Sequence, residues 1–234
     1  RALLAEYPDK KIFFVFSIDA FGEEHDKIRK IPELFRKVME SYNIVKSLGP
    51  RAVPTINLTV SEQNYQHVNK LYKTLRDDYG VQSFAPVIVR DEGVYKIPMD
   101  KKIGILVAYK ELSSNILSDI ASGKIHGFDT GTIRGRLVNA KSVMQHKIIA
   151  DTYMEPKFQS YCPAGAIFGV IGTDANVFPC EILSKPMGNL RNYDFDFMKL
   201  WHSAKALEIK DWIRETKCYC HWECAWTYNI LSNP

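Results

Sequence analysis

Apolar positions in the first ninety or so residues alternate between a short-period and a helical rhythm. Residues 11–19, KIFFVFSID, form a run rich in Phe, Ile and Val, bounded by lysines before and AFGEE after, and predict a buried strand. Over 32–48, Leu34, Phe35, Val38, Tyr42 and Val45 recur at helical spacing, with Pro32 suited to a first turn and Gly49-Pro50 as the stop. AVPTINLTV then alternates, placing Ile56, Leu58 and Val60 on one face and Thr55, Asn57 and Thr59 on the other, the pattern of a second strand. SEQNYQHVNKLYKTLRDDYG predicts a helix with Ser61 as N-cap, Val68, Leu71 and Leu75 on one face, and Gly80 as the stop. VQSFAPVIV supplies a third strand.

Strand, helix, strand, helix, strand is the order of parallel β/α units, in part of a barrel or a doubly wound sheet, and sets the class as α/β. Three strands are too few to close a barrel. Past Pro98 the pattern turns helical, at about 101–122 and 132–153, where Ile133, Leu137, Val138, Met144, Ile148 and Ile149 form an apolar stripe. From Tyr161 the texture changes again: AIFGVIG and NVFPC flank a turn at Thr173-Asp174-Ala175-Asn176, and a cysteine-bearing segment follows. The chain thus divides into β/α units at 1–100, a helical connector at 101–160 and a small hairpin-containing domain at 161–234.

Composition narrows the class without naming a partner. The 234 residues are 46% hydrophobic and 25% charged, the balance of an ordinary globular protein. A net charge of +4 is too even to indicate nucleic acid. The most apolar stretch, KKIGILVAYK, is short and flanked by lysines, so no membrane span is expected. The sequence opens at Arg1 without an initiator Met or a signal peptide and is expected to be a piece of something longer.

All five cysteines follow residue 160. An odd, clustered set argues against a secreted disulfide framework and for a metal site in a reducing, cytoplasmic compartment. Cys162 and Cys180 flank the predicted hairpin, so folding it brings two sulfurs to its base, and Cys218, Cys220 and Cys224 lie within seven positions of one another. Thiolates select iron–sulfur clusters or zinc, and spacing does not separate the two. Proximity favours Cys162, Cys180, Cys220 and Cys224 as ligands, with Cys218 a spare, an alternative ligand or a link outside the chain. His202 and His221 are expected to be packing or surface groups. No isolated Cys pairs with an evident His and Asn or Asp, which argues against a cysteine hydrolase.

YCPAGAIFGVIGTDANVFPCEIL, then MGNLR, DFDFMKLWHSAKA and KCYCHWECAW, resembles the SPASM or twitch auxiliary-cluster domain of radical S-adenosylmethionine (SAM) enzymes. The likeness covers about 161–234, with Ala175 standing where the family's turn usually carries Gly. A second stretch, SIDAFGEEHDKIRK, resembles the fourth-strand motif of the radical SAM barrel, with Ala20 in place of the usual Gly. The resemblance implies the C-terminal part of a partial (β/α)6 TIM-like barrel, followed by helices and the small cysteine-rich domain. It implies that Ser17 and Asp19, two apart on one strand face, help bind the SAM ribose at the C-terminal strand ends. His25, Asp26 and Arg29 would order the loop or meet the SAM carboxylate, and Asn57 would face the barrel interior beside cofactor or substrate.

The implied cofactors are an auxiliary four-iron four-sulfur cluster in this chain, with SAM and a catalytic four-iron four-sulfur cluster in the intact protein. The catalytic Cys-x-x-x-Cys-x-x-Cys loop is not in this sequence, since no cysteine precedes Cys162, so the fragment alone is expected to be inactive. Implied partners are a peptide or small-molecule substrate, such as a sugar, and an electron donor of the flavodoxin or ferredoxin kind. The rival is a non-catalytic, zinc- or cluster-stabilised module that binds a peptide or protein. An upstream three-cysteine loop would decide for the enzyme.

Overall fold

The computed structural model describes residues 2–91, 96–126 and 132–233, so that Arg1, Pro234 and two internal stretches of the expected segments lie outside the described residues. The chain is mixed α/β and forms two compact units, Arg1–Val143 and Met144–Pro234.

In the first unit, helix α1 (Ala2–Glu6) leads into β1 (Ile12–Ser17), α2 (Glu23–Arg29), α3 (Leu34–Lys46), β2 (Ala52–Val60), α4 (Val68–Asp77), β3 (Phe84–Ile88) and α5 (Met99–Ala121). The strands form one parallel sheet in the order β1-β2-β3, with Ser17 opposite Asn57 and Asn57 opposite Ala85. Alternation on β2 follows the prediction from Ile56 onward, with Ile56, Leu58 and Val60 buried and Asn57 and Thr59 half-exposed, whereas Thr55 is buried too, its hydroxyl bonded to that of Ser83 at 2.9 Å. The buried face meets α3, α4 and α5. Phe35, Met39, Tyr42 and Val45 supply the inner stripe of α3, and Val68, Leu71, Tyr72 and Leu75 that of α4. On β1, Phe13 and Val15 are exposed, whereas buried parallel sheets normally cover both faces.

Helix α4 is pinned to α5 by a buried polar cluster. Tyr72 donates to Asp119 at 2.6 Å, and the Arg76 guanidinium bonds the same carboxylate oxygen. Burial works against ionising Asp119, but the bonds from Tyr72 and Arg76 outweigh it and hold its carboxyl below the usual range. No helix among the described residues is long and apolar enough to cross a membrane.

Several boundaries differ from the sequence prediction. The helix predicted from Ser61 starts only at Val68, and Ser61 is not its N-cap. Instead the Asn64 carboxamide oxygen takes the Ser61 N–H at 2.8 Å, so residues 61–67 turn before the helix begins. Pro32 precedes α3 rather than entering its first turn.

Helix α6 (Ile133–Met154) runs from the first unit into the second. The apolar stripe expected on it is not a buried stripe: Ile133 is 79% and Leu137 66% exposed, Met144 is exposed too, and only Ile149 of that set is buried. Periodicity records which residues share a face, not whether anything covers it.

The second unit contains the predicted hairpin. Strand β4 (Val170–Ile171) pairs antiparallel with β5 (Asn176–Phe178), and β6 (Gly188–Asn189) adds a third, unpredicted strand along β5. A short 3₁₀ turn, then α7 (Phe197–Trp201), α8 (Ala204–Glu215) and α9 (Glu223–Ser232) complete it. Val177, Met187, Leu200, Ala206, Ile209 and Ile213 form the centre of its core.

Ala175 takes the left-handed conformation, φ 68°, which Gly would adopt more readily. The turn holds it there: Ala175 N–H donates to Gly172 O and Ala175 O accepts from Leu190 N–H, both at 2.9 Å. Asn189 caps the same turn, donating to Asp174 O and Asn176 Oδ1, which explains why a Gly-Asn segment follows the hairpin.

Gly169 is required for a different reason, close approach. A Cβ there would lie 2.8 Å from the Phe178 carbonyl oxygen and 2.8 Å from the Trp201 ring. Gly169→Ala is expected to destabilise the chain by about 1–3 kcal/mol, the usual cost of overpacking. Urea denaturation checks this, and a wild-type midpoint would contradict the packing.

Candidate functional site

Two places gather the residues singled out by sequence, one in each unit. In the first unit, Ser17, the last residue of β1, stands in register with Asn57, three residues before the end of β2, and both are half-buried. Asp19, two residues past the end of β1, is buried, and its Oδ2 pairs with the Arg29 guanidinium from the end of α2. Asp26, on α2, serves a different task, accepting the Phe35 N–H at 2.8 Å in the first turn of α3.

Two further residues build this corner, and single-sequence reasoning gave one of them only a passing role and the other none. Asn64 is buried and fully used: its Nδ2 donates to Asp19 O and to Thr59 O, both at 2.8 Å, tying the end of β1 to the end of β2. His25 is wholly buried, its Nδ1 accepting the Asp19 N–H at 3.2 Å. With Nδ1 an acceptor, the neutral ring carries its proton on Nε2, which is buried without a hydrogen-bond partner among the described residues. A lone Asn inside a predicted helix gives no sequence signal; only its position three residues after Ser61, the spacing of a side-chain turn, hints at it.

In the second unit, the stretch after Cys162 and the stretch before Cys180 are stitched together by one amide. Gly165 N–H donates to Phe168 O at 2.8 Å and to Pro179 O at 3.2 Å, so the hairpin base closes as predicted. Cys162 and Cys180 carry thiols near enough to influence each other's ionisation, and both pack on the hairpin core. Burial and the neighbouring Cys180 push the Cys162 thiol up, opposed by hydrogen bonds from the Ala164 backbone and the Asn229 side chain. Cys180 Sγ accepts the Leu183 N–H at 3.2 Å.

Helix α9 lies against this base. Asn233 donates to Tyr161 O at 2.8 Å, and Tyr228 stacks on Phe168 with centroids 4.9 Å apart. Cys224 is the second residue of α9 and is exposed, while Cys218 and Cys220 are half-buried, Cys218 on the same core as Cys162 and Cys180. The Trp226 indole donates to Cys220 O at 2.8 Å and fixes the entry to α9. His221 is buried edge-on to Tyr153, and His202 is exposed at the end of α7.

An all-thiolate donor set suits iron–sulfur clusters or zinc. The hairpin supplies two such donors together, with the Leu183 amide already donating to the Cys180 sulfur. No three His, Cys, Asp or Glu side chains among the described residues converge closely enough to hold a metal ion, so Cys218, Cys220 and Cys224 do not close around the pair in this conformation. The chain matches no protein-family model and no curated protein.

His25 gives this geometry a pH signature. Burial, reinforced by Arg29 and opposed by Asp19 and Asp26, holds its folded-state pKa below the ordinary 6.5. Above 6.5 the ring is neutral folded or unfolded; as pH falls, the unfolded chain takes up the proton first, and stability is lost down to the lowered folded value. Between about pH 7 and pH 5, the wild type is expected to lose more stability than His25→Gln in urea titrations. Equal losses would show that His25 is protonated in the folded chain as readily as in the unfolded one.

Proposed function

We propose that this chain is the C-terminal part of a radical SAM enzyme. Residues 1–100 would be the C-terminal half of a partial (β/α)6 TIM-like barrel, 101–160 a helical connector, and 161–234 a SPASM- or twitch-like domain that holds an auxiliary four-iron four-sulfur cluster. The observation that carries this proposal is the proximity of Cys162 and Cys180 at the base of a closed hairpin, with α9 packed against that base through Tyr228. Cys220 and Cys224 would complete the set, with Cys218 as the alternative, once the C-terminal segment closes on the pair.

The first unit supports the same reading through what its strand ends present. Ser17 ends β1, on the side where parallel β/α units bind ligands, with Asn57 beside it on β2, and Asp19 is held by Arg29, His25 and Asn64. The exposed Phe13 and Val15 on β1 fit a sheet whose second face lies under further structure.

When bound, SAM and a reduced catalytic cluster supply a 5′-deoxyadenosyl radical, the electron coming from a flavodoxin- or ferredoxin-type donor. This chain's part is to orient the cofactor at the strand ends and hold the auxiliary thiolates in a cytoplasmic protein acting on a peptide or on a small molecule such as a sugar. No cysteine precedes Cys162, so in this reading the catalytic-cluster loop would be supplied from elsewhere and this chain alone would not cleave SAM.

Metal and sulfide analysis of the chain, loaded without oxygen, tests the proposal. About four irons and four sulfides per chain are expected, with both lost in Cys162→Ser and Cys180→Ser. One zinc without sulfide would overturn the auxiliary-cluster assignment and favour a non-catalytic, zinc-stabilised module that binds a peptide.

A further inference from the structure

We infer that His25 is a proton-operated latch on the corner beyond β1: when its ring takes up a proton, the Asp19 carboxylate passes from Arg29 to His25 and the Asp19 amide is released, whatever ligand the corner takes. In the neutral state the wholly buried ring uses its Nδ1 lone pair to accept the Asp19 N–H at 3.2 Å. A protonated imidazole carries N–H on both nitrogens and has no acceptor left. Proton uptake therefore sets two donors against each other at Nδ1, in the interior, where an unmade hydrogen bond costs most.

One acceptor lies within reach. Asp19 Oδ2 is 3.9 Å from Nδ1, too far to bond the neutral ring, and the Arg29 guanidinium occupies it. The two competitors for that oxygen differ in what they can do without it. The Arg29 side chain is 39% exposed and can turn to water, whereas the His25 ring is sealed from it. The imidazolium therefore takes the carboxylate. Asn64 still holds Asp19 O, so the strand end stays anchored while the amide swings free. Between Asp19 and His25 the chain turns at Gly22, φ 56°, where glycine changes conformation at little steric cost. Asp19, Asp26 and Arg29 are the charged groups that bear on the ring, and α3 meets it edge-on with the uncharged Phe35, centroids 6.4 Å apart. Burial and Arg29 outweigh the two carboxylates, so the latch is closed at neutral pH and opens only below the ordinary 6.5.

The test is NMR of the isotope-labelled full chain through a pH titration, reading the His25 ring nitrogens, the Arg29 Nε–H and hydrogen exchange at the Asp19 and Ile56 amides. As His25 takes up its proton, the open population at the Asp19 amide is expected to rise about tenfold per pH unit, and the Arg29 Nε–H to lose its bonded signal. The Ile56 amide, which donates to Ser83 O at 2.9 Å within the sheet, is expected to stay protected. In His25→Gln, the Asp19 and Arg29 signals are expected to lose their pH dependence over the same range. Arg29→Gln removes the competitor and is expected to move the His25 midpoint to higher pH; it carries the test if H25Q does not fold. A ring that titrates while the Asp19 amide and Arg29 Nε–H stay unchanged would overturn the inference. So would a folded R29Q with the wild-type midpoint, or a ring that takes up its proton only as the Ile56 amide opens.

Discussion

The burial of Ile56, Leu58 and Val60 on one face of the central strand is the constraint on which the first unit depends. Side chains on a strand alternate, so seating those three under the helices commits Thr55, Asn57 and Thr59 to the other face. Parallel pairing then carries the commitment sideways: Asn57 stands opposite Ser17 on one side and Ala85 on the other. A slip of one residue would reverse every one of these assignments. The polar residues at the strand ends are therefore a by-product of core burial, and Asn64, His25 and Arg29 give that by-product a defined shape by fixing the chain just beyond it.

The second unit depends on a smaller device of the same kind. Its hairpin is short, and two strands of this size are marginal in water without further support. The turn at Asp174–Asn176 is locked by side-chain amides, Gly169 lets the strand approach Phe178 and Trp201, and Gly165 joins the two cysteine-bearing ends. Proximity of Cys162 and Cys180 follows from those contacts. The remaining cysteines are placed by α8 and α9 and their connection, and these do not close on the pair in the present conformation.

Elements with strong periodicity were legible in the sequence. The three strands of the first unit, the helices α3, α5 and α6, and the hairpin pair all fall close to where the apolar pattern puts them. What was not legible is what a single side chain decides. Asn64 takes the Ser61 N–H and its Nδ2 bonds Asp19 O and Thr59 O, so residues 61–67 are tied as turns to the strand ends and α4 begins only at Val68. Helix α2 escaped because seven largely charged residues carry no apolar rhythm, and β6 because two residues have no period. At the candidate sites, the clustered cysteines and the Ser17–Arg29 segment announced themselves by type and spacing.

X-ray absorption at the iron edge of the anaerobically loaded chain tests the central claim most directly, because it reports the atoms around the metal. The account predicts a first shell of sulfur alone with a second iron beyond it, as cysteine-held clusters require. A shell dominated by oxygen or nitrogen, with no neighbouring iron, would contradict it.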